Sequence, residues 1–218
     1  MLTEKEIETI FAEQKDIKGI PGTKMENFAQ DFKAFVNKLN SHKDILITNL
    51  YVGYPCTIGD KGWKSYVEKR LGFDLDIEIK SFYSQFSYIS LRWINVNHPK
   101  FKGKKIKKFK LLDCTTKSTV DDDSGNAKNI LITNGLELFN KNNSVVAQPE
   151  GYDLYYFNYS HFFAGQLVIN VNKEKQETSL YIGDDYFADV KPLEIDFPSY
   201  MYKIIDLNDE IISDAAKD

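Results

Sequence analysis

The sequence predicts an α+β fold: a single, mostly antiparallel sheet of about five to six strands with helices packed on one face, plus an N-terminal helical extension. Residues 24–39 repeat apolar side chains at helical spacing. Residues 164–172 and 177–182 instead alternate apolar and polar side chains around a short turn, as paired strands do. With 218 residues, 42% hydrophobic and 28% charged, the chain is long and apolar enough for one large packed domain.

The composition argues against several classes of protein. The two cysteines, Cys56 and Cys114, show no metal-ligand spacing; reduced thiols are the simplest reading, and a single disulfide is the alternative. The first residues are acidic and amphipathic, which is not the pattern of a signal peptide. Apolar runs fall short of the ~20 residues that a membrane helix needs. We therefore expect a cytoplasmic protein that makes no membrane contact.

Charge is distributed unevenly along the chain. Up to Leu111 there are 20 Lys and Arg against 13 Asp and Glu, whereas the remainder has 8 against 19. The first part therefore has a balance of +7 and the second a balance of −11. An acidic second part disfavours a nucleic-acid partner there and favours a basic protein partner.

The first 55 residues predict two helices and a strand. Leu2–Lys15 begins with Thr3 and Glu6 at capping-box spacing, which indicates a helix start. Lys24–Leu39 has the clearest amphipathic pattern in the chain, and Asp44–Val52 is rich in the β-branched and aromatic residues of strands. We assign residues 1–55 as the N-terminal helical extension, with membership of the main domain as the alternative.

The stretch from Gly62 to Trp93 predicts a helix–helix–strand unit. Trp63–Leu71 is a short amphipathic helix, and Asp76 is placed to cap a second helix that runs to about Phe86. Tyr88–Val96 alternates as a strand does. Four side chains of this unit are expected to be buried: Tyr66, Leu71, Phe82 and Trp93.

Lys100–Lys110 has seven lysines in eleven residues. Such a stretch is either a patch for nucleic acid or anionic lipid or a solvated hairpin that turns at Gly103. The absence of arginine favours the hairpin, so no nucleic-acid partner is expected.

The second half predicts short strands and a final helix. Asn134–Gly135 is a strong signal for a tight hairpin between Ile130–Thr133 and Leu136–Phe139. Further strands are predicted at Leu154–Tyr159, Ala164–Asn172 and Glu177–Ile182, followed by a helix at Phe197–Leu207.

Catalytic and metal-binding patterns are missing from the sequence. His42, His98 and His161 are not at metal-ligand spacing from one another or from a cysteine. Ser160 and His161 are neighbours on a predicted strand, so they point to opposite faces and cannot act as nucleophile and base. We expect no catalytic residues, no metal and no cofactor; a hydrolase that uses Cys56 or Cys114 is the less favoured alternative.

One segment resembles a known family. In VEKRLGFDLDIEIKSFYSQFSYISLRW, the matching residues are Glu68, Leu71, Gly72, Phe73, Leu75, Phe82 and Tyr83. This pattern resembles the SMI1/KNR4 family, also called the SUKH superfamily. AGQLVINV, SLYIGDD and DFPSYMYKI follow in the family's order. The resemblance covers about residues 62–207, and we assign 56–210 as the SMI1/KNR4-like domain.

The resemblance implies a protein-binding module rather than an enzyme. Bacterial members are immunity proteins that bind and neutralise toxins of polymorphic toxin systems, often nucleases, and fungal members act as regulatory scaffolds. The expected partner is a basic toxin domain, with a host protein bound by a scaffold as the alternative.

The acidic half offers two clusters of tyrosines with acids for that partner. Burial of half of these tyrosines in the core is the competing interpretation. The predicted binding residues are Tyr152, Asp153, Tyr155 and Tyr159 in the first cluster, which also contains Tyr156, and Tyr181, Asp184, Asp185 and Tyr186 in the second.

Overall fold

The computed structural model describes residues 2–53, 76–97, 110–112, 115–117, 128–138, 153–160, 165–172, 177–183 and 190–206. Within them the α-helices are α1 (Glu4–Ile10), α2 (Phe28–Ser41), α3 (Ile77–Tyr83) and α4 (Phe197–Ile204), with a 3-10 helix at Ala12–Gln14. The strands are β1 (Ile45–Val52), β2 (Ile89–Asn95), β3 (Lys110–Leu112), β4 (Thr115–Lys117), β5 (Lys128–Leu138), β6 (Asp153–Ser160), β7 (Gly165–Asn172), β8 (Glu177–Gly183) and β9 (Val190–Pro192).

The predicted capping box at the first helix is confirmed. The Glu6 amide donates to Thr3 Oγ1 at 3.2 Å, and the Thr3 amide donates to Glu6 Oε2 at 2.7 Å. The α-helix ends at Ile10 rather than Lys15, because the chain tightens into the 3-10 helix. Such tightening is common at helix ends.

The second helix begins later than the sequence predicted. The spacing predicted a start at Lys24, but α2 begins at Phe28. The amides of Lys24 and Met25 donate to the two carboxylate oxygens of Glu78, at 3.0 and 3.1 Å. These bonds hold residues 24 and 25 in a turn against α3, which a local pattern cannot reveal.

The predicted α+β class with antiparallel strands is confirmed. The strands of the described residues lie in the order β3-β4-β1-β2-β5-β6-β7-β8-β9, and every neighbouring pair is antiparallel. There are nine where about five to six were predicted. Three of them, β3, β4 and β9, have only three residues, which is too short to produce an alternating pattern.

The predicted tight hairpin at Asn134–Gly135 is wrong. β5 runs through both residues as one strand and pairs with β6. The register of its pairing with β6 shifts between Ile132 and Glu137. Asn134 and Gly135 therefore lie at an irregularity in strand pairing rather than in a turn between two strands. A glycine inside a strand often marks such a place.

The described helices pack on one face of the sheet, which we call the inner face. Leu50, Leu91 and Ile130 are paired across β1, β2 and β5 and are 0–1% exposed. They form one core with apolar residues of α1, α2, α3 and α4, so residues 1–53 share this core with the later chain. Phe82 and Trp93 are fully buried, as predicted, whereas Tyr66 and Leu71 lie outside the described residues.

Candidate binding face of the sheet

The sheet face opposite the helices, which we call the outer face, can be followed from strand to strand by register. Side chains alternate between faces along a strand, so the neighbours of Leu50 and Leu91 lie on the outer face. One continuous line of paired outer-face positions crosses five strands: Tyr51, Ser90, Leu131, Tyr159 and Gln166.

The β1–β2 end of the outer face is aromatic and polar. The rings of Tyr51 and Tyr88 lie 5.4 Å apart, and Asn49 Nδ2 donates to Ser90 Oγ at 2.7 Å. All four side chains are half-buried. Ile94, farther along β2, is buried yet lies outside the inner core.

Tyr181 extends the outer face to β8. Leu180 packs against the inner core, so its neighbour Tyr181 lies on the opposite side of the sheet, where it is half-buried. Tyr181 pairs with Val168 of β7, and Val168 pairs with Tyr156 of β6. The backbone register thus aligns two tyrosine positions across three strands.

The register separates the predicted binding residues into two groups. Tyr159 and Tyr181 occupy outer-face positions. Asp153 pairs with Val171 and Tyr155 with Ile169, and these positions share the face of Leu180. Tyr152, Asp184, Asp185 and Tyr186 lie outside the described residues.

Sequence reasoning missed the contribution of β1 and β2 to this face. Tyr51 and Tyr88 were not among the predicted residues, although the order Leu50, Tyr51, Val52 carries the alternation that turns Tyr51 outward. Tyr156 was noted in the first cluster but was not among the predicted binding residues, and the register shift between Tyr156 and Asn158, which gives Tyr156 and Tyr159 the same face, cannot be read from sequence.

On the helical side, a groove of about 670 Å³ lies between α2 and α4. Its lining includes Asp31, Phe35 and Tyr202. The Tyr202 hydroxyl donates to Asp31 Oδ2 at 2.8 Å, and burial, followed by this bond, raises the pKa of Tyr202. The phenol therefore stays protonated at neutral pH and acts as a structural donor.

A second groove, of about 290 Å³, lies between α1 and α2. Lys33 and Glu8, which both line it, form an ion pair at 2.7 Å. Gln14 reaches from this groove to the chain just beyond β1 and donates from Nε2 to the Gly53 carbonyl at 2.8 Å. These contacts tie α1 to α2 and the 3-10 helix to the residue that follows β1.

The described residues meet the requirements of neither a metal site nor a membrane-spanning helix. There, no three His, Cys, Asp or Glu side chains cluster as a metal site would require. None of the described helices has the length and apolar character to cross a membrane. His42 Nδ1 accepts from the Asp44 amide at 3.3 Å. Cys56, Cys114, His98, His161 and Lys100–Phe109 lie outside the described residues.

Comparison with known proteins yields no relative for this chain. No family model matches it, and neither a characterised protein nor a solved structure does.

Proposed function

We propose that this protein is a non-enzymatic binding module of the SMI1/KNR4 kind. In this proposal it is an immunity protein that neutralises a basic toxin domain, such as a nuclease. The toxin binds the outer face of the sheet in a stoichiometric complex that blocks its active site.

The observation that carries the proposal is the presence of tyrosines at outer-face positions at both ends of the sheet, on β1, β6 and β8 and just before β2. Tyr51, Tyr88 and Tyr181 are half-buried there, and the backbone register adds the positions of Tyr156 and Tyr159. Tyrosines supply large contact area together with a polar tip, and they are enriched among the residues that dominate binding energy. The rings of Tyr51 and Tyr88 already contact each other without a partner, 5.4 Å apart, so less side-chain freedom is lost there on binding.

Charge supports a basic partner. The chain beyond Leu111 has a balance of −11, and it supplies β5 to β9. Opposite charge on two partners raises the rate of encounter and rejects wrong partners. A nuclease domain has to attract nucleic acid, so it presents the basic surface that this half of the chain would complement.

The experiment is coexpression with the proteins encoded by adjacent genes. We expect one of them to be toxic alone, to be tolerated in the presence of this protein, and to co-purify with it at fixed stoichiometry. If no adjacent product is both toxic and bound, the proposal is wrong. A bound product that is not toxic would instead favour the scaffold function.

The outer face is tested with substitutions in that complex. Tyr51→Ala and Tyr181→Ala should each weaken binding by about fivefold or more, because truncation of a tyrosine that dominates an interface costs more than about 1 kcal/mol. Glu13→Ala, an exposed change on the helical side, is the matched control and should leave the dissociation constant unchanged. Equal effects of all three variants would place the contact elsewhere.

A further inference from the structure

The lysine-rich stretch Lys100–Lys110 ends inside the described sheet. Lys110, its last residue, is the first residue of β3. From sequence, this stretch was expected to make no nucleic-acid contact because it has no arginine. Strand pairing supplies one, since Arg92 of β2 lies in the same line of positions as Lys110. The sheet therefore brings together basic residues that are far apart along the chain.

This line of positions crosses four adjacent strands. Lys110 of β3 pairs with Lys117 of β4, and Lys117 pairs with Asn49 of β1. Asn49 in turn pairs with Arg92 of β2. All four positions lie on the outer face, because Asn49 is the direct neighbour of the inner-face residue Leu50. With ~4.8 Å between neighbouring strands, the four positions, which we call the basic line, span roughly 14 Å.

A pair of tyrosines lies beside the basic line. Tyr51 follows Asn49 by two positions on β1, so both residues face outward. The ring of Tyr88 lies 5.4 Å from that of Tyr51. The Asn49 amide donates to Ser90 Oγ at 2.7 Å, and Ser90 pairs with Tyr51. Both rings are half-buried, so each keeps some surface on which a flat group can stack. The basic line and the tyrosine pair are therefore parts of one surface.

Acidic residues are absent from β1, β2, β3 and β4 as the structure describes them. By contrast, β5, β6 and β8 contain Glu137, Asp153 and Glu177. An arginine has five N–H donors, so Arg92 can contact a phosphate in addition to a protein group. This end of the outer face therefore attracts a polyanion, and its tyrosines favour a polyanion that has flat rings.

We propose that the basic line and the tyrosine pair bind a single-stranded nucleic acid. Its phosphates lie along the basic line, and its bases stack on Tyr51 and Tyr88. A single strand fits better than a duplex because its bases are free to stack on side chains. An acidic protein segment would meet the same charges but would leave the tyrosine rings without a stacking partner. The inference goes beyond the proposed function and is tested without a toxin.

The probes are a fluorescein-labelled DNA strand of about 12 nucleotides and mixed sequence, the same sequence as RNA, and its DNA duplex. Fluorescence anisotropy with the full-length protein measures the dissociation constants between about 50 and 200 mM salt. We expect saturable binding of a single strand, at least about tenfold weaker binding of the duplex, and weaker binding as salt rises, because bound phosphates release counterions. Poly-glutamate at equal charge concentration should not displace the strand.

The basic line is tested with Arg92→Gln and Lys117→Gln, made singly and together. The double variant should bind the single strand about tenfold more weakly, and its salt dependence should be shallower by about 0.7 per lost contact. Lys5→Gln and Lys18→Gln together remove the same charge from two exposed lysines of the N-terminal segment and should change neither quantity. Thermal melts report folding, and Lys117→Gln alone decides if Arg92→Gln does not fold.

Tyr88→Leu tests the stacking. It should weaken single-strand binding about fivefold or more and leave the salt dependence unchanged, because a stacked base is lost while the phosphate contacts remain. The proposal is overturned by an absence of saturable binding, by equal binding of the duplex, by wild-type affinity of Tyr88→Leu, or by equal losses in the control and basic-line variants. Displacement by poly-glutamate would also overturn it and would indicate an acidic protein partner.

Discussion

The two faces of the sheet differ in what their side chains contact. On the inner face, Leu50, Leu91 and Trp93 are 0% exposed and lie beneath the helices. On the outer face, Tyr51 and Arg92 of the same two strands, and Tyr88 just before β2, remain half-buried. Stability is therefore concentrated on the inner side, and the outer side can change its side chains with less effect on folding. Such a division suits a binding protein, whose recognition face has to diversify.

The inner side also contains a buried polar side chain, Gln85, whose amide is hydrogen-bonded through both its oxygen and its nitrogen. The buried amide of Gln85 accepts from the Ala29 amide at 2.8 Å and donates to the carbonyls of Met25 and Ser81 at 2.7 and 2.9 Å. Gly19 lies so close that a Cβ there would collide with the Ser81 hydroxyl and the Gln85 amide. Buried polar groups that are fully paired fix one arrangement of the chain.

The largest expected effect comes from the aromatic core. Phe82 is 0% exposed, and its ring lies 5.6 Å from that of Phe28 and 6.1 Å from that of Phe197. Phe82→Ala should lower the free energy of unfolding by about 3–5 kcal/mol, through lost burial and the cavity left behind. Tyr51→Ala, on the outer face, should cost about 1 kcal/mol. Urea unfolding measures both, and equal losses would contradict the difference between the faces.

The next largest expected effect is the loss of stability when the buried Gln85 amide is replaced. Gln85→Met preserves the shape of the side chain but leaves the Ala29 amide and the Met25 carbonyl without their present partner. We expect a loss of about 2 kcal/mol in the free energy of unfolding, since each unsatisfied buried group costs about 1–3 kcal/mol. Asn37→Met, on the exposed side of α2, should change stability by less than about 0.5 kcal/mol. If the two variants are equally stable, the Gln85 amide is not what joins residues 19–29 to α3.

What the sequence predicted correctly is local. The Thr3–Glu6 capping box, the Asp76 cap, the apolar face of α2 and the alternation of β7 each depend on residues within a few positions of one another. Side-chain geometry at such separations follows from the helix and strand periods alone. These elements are therefore present at nearly the predicted positions.

What the sequence could not predict depends on contacts between distant residues. Glu78 lies more than fifty residues from Lys24 in sequence, yet its hydrogen bond to the Lys24 amide helps to hold the turn that precedes α2. The sheet order, in which β1 lies between β4 and β2, also joins segments that are far apart in sequence. The predicted binding residues fall on both faces of the sheet because strand pairing between distant segments also decides which face each residue occupies. Tyr155 and Tyr156 are neighbours, yet only the pairing of β6 with β7, and of β7 with β8, shows which one shares a face with Tyr181. No pattern within the tyrosine cluster itself carries that information.

The smallest expected effect is a pH dependence of stability at Asp196, the N-cap of α4. The pKa of Asp196 is lowered from 3.8 to about 2, first by the hydrogen bond from Lys24 and then by those from the hydroxyl and amide of Ser199. A carboxylate with a lowered pKa stabilises the fold above pH 4, and this contribution is lost as the pH falls towards 2. Because the side chain is 47% exposed, solvent screening keeps the effect below about 1 kcal/mol.

Asp196→Asn tests this contribution without removing the cap of α4, because asparagine caps helices as well as aspartate does. Between pH 5 and pH 2.5 the wild type should lose slightly more stability in urea unfolding than the variant, and added salt should reduce the difference. Lys24→Met should likewise reduce the pH dependence of the wild type, since the Lys24 ammonium is the first cause of the shift. Identical pH profiles for the wild type and Asp196→Asn would show that the ion pair contributes nothing to folding. The link between α3 and α4 would then depend on the backbone bond to Glu78 and on the Phe82–Phe197 contact alone.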